Sequence, residues 1–288
     1  MCVRSVKGSK LGRVSVPREF DELRNDPDPL RQGRRATELL TRYNQLATEV
    51  ARIRRHAVER ARANLDMLDK DIAPAINLTK ARLSQVMKTA PVLERIVFGH
   101  GPVSIGVPYR YQTIDRERPL IAAEDVETAD QLAELLDSLS FVTTRRQIEP
   151  DETELPAGDT VIVCGPKSAP VGGSLIAADP ALRMIRHESR WWIEETATGR
   201  RHGSPIDDAT PGTGDIAYVA RHIRDGRVVI HIAGIHTIGS LGAAHHLANN
   251  LPAVFAATGD TSWSSVVRCA ADDRHIEFSE LAAGPFVW

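Results

Sequence analysis

The feature that most constrains this chain is an uninterrupted helical stretch over residues 34–64. It contains no Gly or Pro, and Leu39, Leu40, Tyr43, Leu46, Ala47, Val50, Ile53, Ala57 and Val58 recur in it at three- and four-residue spacing. Such a period predicts one long helix, or two with a soft joint. Arg52, Arg54, Arg55, Arg60 and Arg62 surround the apolar stripe as a basic flank. Residues 1–30 are broken by Gly8, Gly12, Pro17, Pro27 and Pro29 and read as a flexible arm.

After Pro91 the pattern changes. Val103, Ile105, Val107 and Tyr109 alternate as a strand does. A helical period follows over 127–139, then a strand over 141–148. The apolar run 160–164 reads as a buried strand leading into a short helix. Further strands are expected at 182–185 and 191–195, where the adjacent Trp191 and Trp192 should place one ring in the core and one at the surface. Residues 217–223 and 228–233 flank Asp225-Gly226, a strong hairpin signal. A helix over 238–250 and a hairpin around Asp272–Asp273 complete the reading. Alternating strands and helices followed by hairpins predict an α/β domain with a mixed sheet. The expectation is therefore α+β overall: an arm over 1–30, an all-α domain over 31–90 and an α/β domain over 91–288.

Charge is unevenly divided. Residues 1–90 hold 19 Lys and Arg against 11 Asp and Glu, leaving 17 against 27 in the remainder. A basic block joined to an acidic one points to a polyanionic partner for the first. The stretch 1–20 has basic residues but no apolar core and no small-residue cleavage site, so no secretory signal is expected. No run approaches the length of a membrane span. Cys2, Cys164 and Cys269 are far apart and odd in number, fitting neither a disulfide framework nor a zinc pair. A reducing cytoplasm is the expected compartment.

The segment 67–86, MLDKDIAPAINLTKARLSQV, resembles the helix-turn-helix of bacterial transcriptional regulators and of the promoter-reading region of sigma factors. Ile72, Ile76, Leu83 and Val86 stand where two steeply crossing helices need apolar contacts, and Ala73 where the second helix crosses. Asn77 stands at the turn, where a positive φ is wanted. Leu78 would plug the turn into the core, and Thr79 is a suitable N-cap. Pro74 departs from the pattern and is tolerable in the first turn of a short helix. The resemblance implies double-stranded DNA as partner, with residues 79–88 entering the major groove. Arg82 and Gln85 would read guanine and adenine edges, Lys80, Ser84, Lys88 and the Arg52–Arg62 group would hold phosphates, and Thr79 counts among the DNA-binding residues. A homodimer is expected, its seam the long helix or a sheet edge. Two packed helices that touch no DNA remain an alternative.

In the α/β domain, Gly165-Pro166-Lys167-Ser168 and Gly234-Ile235-His236-Thr237-Ile238-Gly239-Ser240 each follow an apolar strand and introduce a helix. Helix N-termini attract anions. Gly165, Lys167, Ser168, Gly234, Thr237, Gly239 and Ser240 are therefore candidate ligand residues for a phosphate or carboxylate, on two loops expected side by side with Lys167 and Ser240 exposed. Ordinary tight strand–helix turns are the alternative, since neither segment is a GxGxxG or Walker fingerprint. No cofactor is identified, no GxSxG elbow signals Ser-His-Asp chemistry, and a metal site from His231, His236, His245 or His246 with Asp215 is disfavoured. Three functions stay open: a DNA-binding regulator whose α/β domain senses a small anion or mediates assembly, a nucleotide- or sugar-phosphate-processing enzyme joined to a DNA reader, and a structural interaction module.

Overall fold

A computed structural model describes residues 18–113, 116–210 and 212–288. Cys2 and the first part of the expected arm lie outside them. The chain forms two compact units that divide between Tyr43 and Asn44.

In the first unit, residues expected to be a loose arm instead form helix α1 (Arg18–Arg24). Helix α2 (Pro29–Leu65) begins here, with the Asp28 carboxylate accepting from the amides of Leu30 and Arg31 and Pro29 in the first helical position. Glu19 anchors α1: it accepts from Arg42 and, at 2.5 Å, from the Tyr43 hydroxyl, while Phe20 stacks on the Tyr43 ring at 5.7 Å.

The second unit opens with the remainder of α2, then α3 (Asp69–Ala75) and α4 (Lys80–Thr89). Val58, Ile72, Ala73 and Leu83 form a small core of their own. The α2 face that is buried here is polar, with Gln45, Glu49 and Arg52 in it, whereas Leu46, Val50 and Ile53 of the expected apolar stripe are 41%, 64% and 52% exposed. The buried face meets Arg95, which lies in a 3-10 turn at Leu93–Phe98 and is itself fully buried. Arg95 donates to the Gln45 side chain (2.8 Å) and to the carbonyls of Leu139 (3.1 Å) and His100 (3.0 Å). These contacts tie the second half of α2 to the sheet, which is why the division falls within α2 and not at residues 30 and 90.

The α+β architecture follows the expectation. Strand β1 (Val103–Pro108) leads through a small hairpin, β2 (Arg110–Thr113) and β3 (Glu117–Leu120), to helix α5 (Ala123–Ser138) and strand β4 (Thr143–Ile148). Strand β5 (Asp159–Val163) precedes α6 (Pro170–Ala177) and a three-stranded sheet of β6 (Leu182–His187), β7 (Arg190–Glu195) and β8 (Arg201–Gly203). Then come β9 (Gly214–Arg224), β10 (Arg227–Gly234), α7 (Thr237–Thr258), β11 (Trp263–Asp272) and β12 (His275–Val287). The main sheet runs β12-β11-β9-β10-β5-β1-β4. Its β4, β1, β5 and β10 are mutually parallel, and the remaining pairings are antiparallel.

Helices α5 and α7 cover one face, where Leu132, Leu136, Ala243 and Leu247 meet Ile105, Val161, Val163 and Ile230. On the other face α6 packs on Ile148, Ile162 and Val229, and β6 and β7 on Ile216, Tyr218 and Ala233. The Asp225-Gly226 turn is as expected, both residues at positive φ (52° and 73°) between Arg224 and Arg227. Helix α7 extends past the expected end at residue 250 and carries Pro252 inside it. Trp191 and Trp192 are both half-buried, contrary to the core-and-surface expectation, because β7 sits in a small sheet with partial cover on each side. Asp159 pins the start of β5: one carboxylate oxygen accepts from the amides of His100 and Gly101, the other from Val228. Gly99 lies at φ +91° against that carboxylate, where any Cβ would collide with it.

Candidate functional sites

Helices α3 and α4 meet at Asn77, whose φ of 58° is the left-handed conformation that the turn requires. The Thr79 hydroxyl oxygen accepts from the Arg82 amide and caps α4. Leu83 and Val86 are 0% and 3% exposed, and Lys80, Arg82, Ser84, Gln85 and Lys88 all lie on the exposed side. Arg82 Nη1 donates to Gln85 Oε1 at 2.6 Å, so the two candidate base readers already form a pair one turn apart.

Three expectations about this region are corrected. Ile76 is exposed, since it stands past the last turn of α3 on the side away from α2. Leu78 is only half-buried. Pro74 is the sixth of seven residues in α3 and not in its first turn; a helix this short forfeits a single backbone bond to it. The basic flank also divides. Arg52 is buried against Glu49 at 2.7 Å, Arg55 donates to Glu59 and the Ala90 carbonyl, and Arg62 holds Asp69. Of the five, Arg54 and Arg60 are exposed and make no ion pair among the described residues, because the other three carry the packing of α2 on its neighbours.

The second site lies at the carboxyl ends of the parallel strands. The connection after β1 runs over the α5 face and leads to β4 on one side, whereas the connection after β5 runs over the α6 face and leads to β10 on the other. The chain thus diverges between adjacent β1 and β5, and strand ends at such a point leave a crevice. A cleft of about 530 Å³ opens there. Its lining includes Tyr109, Arg110 and Tyr111 after β1, Asp125 at the start of α5, Gly165, Lys167 and Ser168 after β5, and Gly234, His236, Thr237 and Ser240 after β10.

The two expected loops are therefore neighbours. Val229–Ile232 pair in parallel with Thr160–Val163, and a Cβ on Gly165 would stand 4.0 Å from the Gly234 carbonyl oxygen. Six of the seven candidate ligand residues, Gly165, Lys167, Ser168, Gly234, Thr237 and Ser240, line the cleft. Gly239 does not. Its amide donates to Asp215 Oδ2 at 2.8 Å, as does the His236 amide at 2.9 Å, so an internal carboxylate already serves that part of the α7 N-terminus. Burial pushes the Asp215 carboxyl above its usual range. Ser240, expected to be exposed, is 5% exposed, and its hydroxyl accepts from the Gly234 amide. Lys167 is exposed as expected, but its ammonium leans on the Ile235 carbonyl (2.6 Å) and stands 5.7 Å from the Trp191 ring. Burial lowers its pKa, and Asp215 and Asp207 oppose that.

Asp125 was not among the expected site residues. It is 6% exposed, lines the cleft, and accepts no hydrogen bond among the described residues. Burial, with Glu124 adding to it and Arg110 opposing it, pushes its carboxyl up to about 7. Nothing in the sequence around 123–127 sets it apart from the solvated acids of a helix start; only the crossing of α5 over the strand ends buries it. The Tyr109 and Tyr111 rings meet edge to face at 5.3 Å, with hydroxyls 3.2 Å apart, an interaction that pushes Tyr109 up to about 12.

The histidines do not converge. His231 is fully buried and hydrogen-bonds through Nε2 to the Cys164 carbonyl at 2.7 Å, burial pulling it down to about 3. His236 pairs with Asp207 at 2.9 Å, and His245 with the Ser279 hydroxyl. No group of three or more metal-ligating side chains is brought together among the described residues. No described helix is long and apolar enough to cross a membrane. Comparison of the chain with protein-family models, with curated proteins and with solved structures finds no match.

Proposed function

We propose that this protein is a cytoplasmic DNA-binding regulator, acting as a homodimer, whose α/β sheet binds a small anionic ligand. The observation that carries the DNA half is the outer face of α4. Lys80, Arg82, Ser84, Gln85 and Lys88 are all exposed there, while Leu83 and Val86 bury the opposite side. A capped, basic, polar helix on a two-helix turn suits the major groove. Arg82 and Gln85 supply the side chains that pair with guanine and adenine edges, and Lys80, Ser84 and Lys88, with Arg54 and Arg60 of α2, supply phosphate contacts. The ligand half rests on the cleft at the divergence of β1 and β5, with two cations in its wall.

Affinity for duplex DNA in a gel shift should fall steeply with salt as Lys and Arg contacts displace counterions. Arg82→Ala should relax sequence preference at a cost of about 1–3 kcal/mol. Arg54→Ala with Arg60→Ala should weaken all sequences alike. Affinity unchanged by salt and by all three substitutions would sink the DNA assignment.

A second reading has its own support. A carboxyl raised to about 7 beside a cation suits general acid–base work, so Asp125 favours a nucleotide- or sugar-phosphate-processing enzyme in the same cleft. Turnover of a bound ligand, abolished in Asp125→Asn, would select that reading.

A further inference from the structure

We infer that the cleft between β1, β5 and β10 is a nucleotide site, with the phosphate at Arg110 and Lys167, the base against Tyr109 and Tyr111, and a ribose hydroxyl or ring amino group donating to Asp125. This inference rests on the reading of the cleft as a ligand site and adds the class of ligand.

Three observations converge on it. First, the cleft holds an acceptor with no donor. Asp125 is 6% exposed, lines the cleft and accepts no hydrogen bond among the described residues. Buried carboxylates are ordinarily hydrogen-bonded, and one that is not marks the place of a missing donor. A fully deprotonated anion such as sulfate supplies no donor, and above pH 7, where Asp125 ionises, it would be repelled by the carboxylate. The ligand must carry donors as well as negative charge.

Second, the cleft holds two cations without a carboxylate partner. The Arg110 side chain makes no ion pair among the described residues, and the Lys167 ammonium meets the Ile235 carbonyl and the Trp191 ring but no carboxylate. Arg110 adds to the lowering of the Lys167 pKa across the cleft. A phosphate between them relieves that repulsion and offers oxygens to both. The Thr237 hydroxyl at the start of α7 lies on the same wall. Because Asp215 already occupies the Gly239 and His236 amides, the side-chain cations and not the helix end carry the anion.

Third, the side of the cleft formed by β2 is aromatic and apolar. Tyr109 and Tyr111 stand with Pro108 and Leu120 there, and Tyr111 remains 52% exposed. Rings of this kind give a flat base a stacking surface that an acyclic phosphate or a sugar phosphate does not use. The volume lies within the usual range for a small-molecule pocket, about 300–1,000 Å³. Base, ribose and phosphate together place an aromatic ring, hydroxyl donors and a dianion in one molecule, which matches all three features.

The test is isothermal titration calorimetry of the full chain with the four ribonucleoside 5′-monophosphates, the matching nucleosides and inorganic phosphate. At least one monophosphate should bind at sub-millimolar Kd, its nucleoside at least tenfold more weakly, and phosphate alone not measurably. Asp125→Asn and Arg110→Ala should each weaken that monophosphate at least tenfold, and Tyr111→Ala severalfold, with unchanged circular dichroism as the check on folding. Absence of binding by all four at millimolar concentration overturns the nucleotide assignment. A parallel thermal-shift series with sugar phosphates and dicarboxylates then separates the two failures. Stabilisation that Arg110→Ala removes would keep the cleft as a ligand site while the nucleotide assignment falls, and stabilisation by none of the compounds would overturn both.

Discussion

Asp125→Asn should make the protein more stable, and increasingly so as the pH rises. In the folded state burial holds the carboxyl at about 7, against an ordinary 3.8 in the unfolded chain. Ionising it in place therefore costs about 4 kcal/mol more than in water, at about 1.4 kcal/mol per pH unit. The sign follows from proton linkage. Between pH 3.8 and 7 the folded state binds the extra proton, so this group's contribution is fully present below pH 3.8 and is lost as the pH climbs through 7. Asparagine has no such loss. It leaves its own amide unpartnered in the same place, a constant offset of about 1–3 kcal/mol that cancels when one pH is compared with another. Water entering from the open side of the cleft screens part of the cost. We expect the advantage of Asn over Asp to grow by about 1.5–2.5 kcal/mol from pH 5 to pH 8.5 and to level off above pH 7.5. Urea unfolding followed by tryptophan fluorescence measures this, since Trp191, Trp192, Trp263 and Trp288 all belong to the α/β part. A difference between variant and parent that stays constant over this pH range would refute the argument, for it would mean that Asp125 ionises as it does in water. A stabilising loss of a carboxylate is also what separates a residue retained for binding from one retained for folding.

Two further predictions concern the scaffold. Arg95→Ala should cost about 3–5 kcal/mol by urea denaturation, because it strips the Gln45 side chain and the Leu139 and His100 carbonyls of their donor and takes a cation from beside Glu49; a loss below about 1 kcal/mol would mean that the α2 attachment does not depend on it. Leu83→Ala should cost about 2–5 kcal/mol and Ile76→Ala under about 1 kcal/mol, the reverse of what equal burial would give; similar losses at the two positions would contradict their exposures of 0% and 37%.

Local signals made much of this fold legible. The Asp225-Gly226 turn, the Thr79 cap and the positive φ at Asn77 depend on a few adjacent residues, and each stands as the sequence indicates. The switch from a helical period to short apolar runs likewise announced an α+β chain with a mixed sheet. The neighbouring loops after β5 and β10 were legible for the same reason, since two apolar strands each running into a Gly-bearing turn belong in the middle of a parallel sheet.

What needed tertiary structure is whatever depends on partners far away in the chain. The apolar stripe of α2 is a true helical period, yet the helix buries Gln45, Glu49 and Arg52, because Arg95, 50 residues beyond Gln45, offers a guanidinium that only polar groups can satisfy. Periodicity records which face is apolar and is silent on which face meets a neighbour. Gly239 looked like part of an anion loop until Asp215, 24 residues earlier, took its amide. Asp125 sits among the acids of an ordinary helix start in the sequence, and it becomes a buried, unpartnered carboxyl only where α5 crosses the ends of β1 and β5. Sequence by itself determined most of the elements, α1 and β8 apart, with the turns and the basic outer face of α4. Burial and charge pairing are sums over the whole fold, so the sheet order alone decided which polar groups were left facing an open cleft.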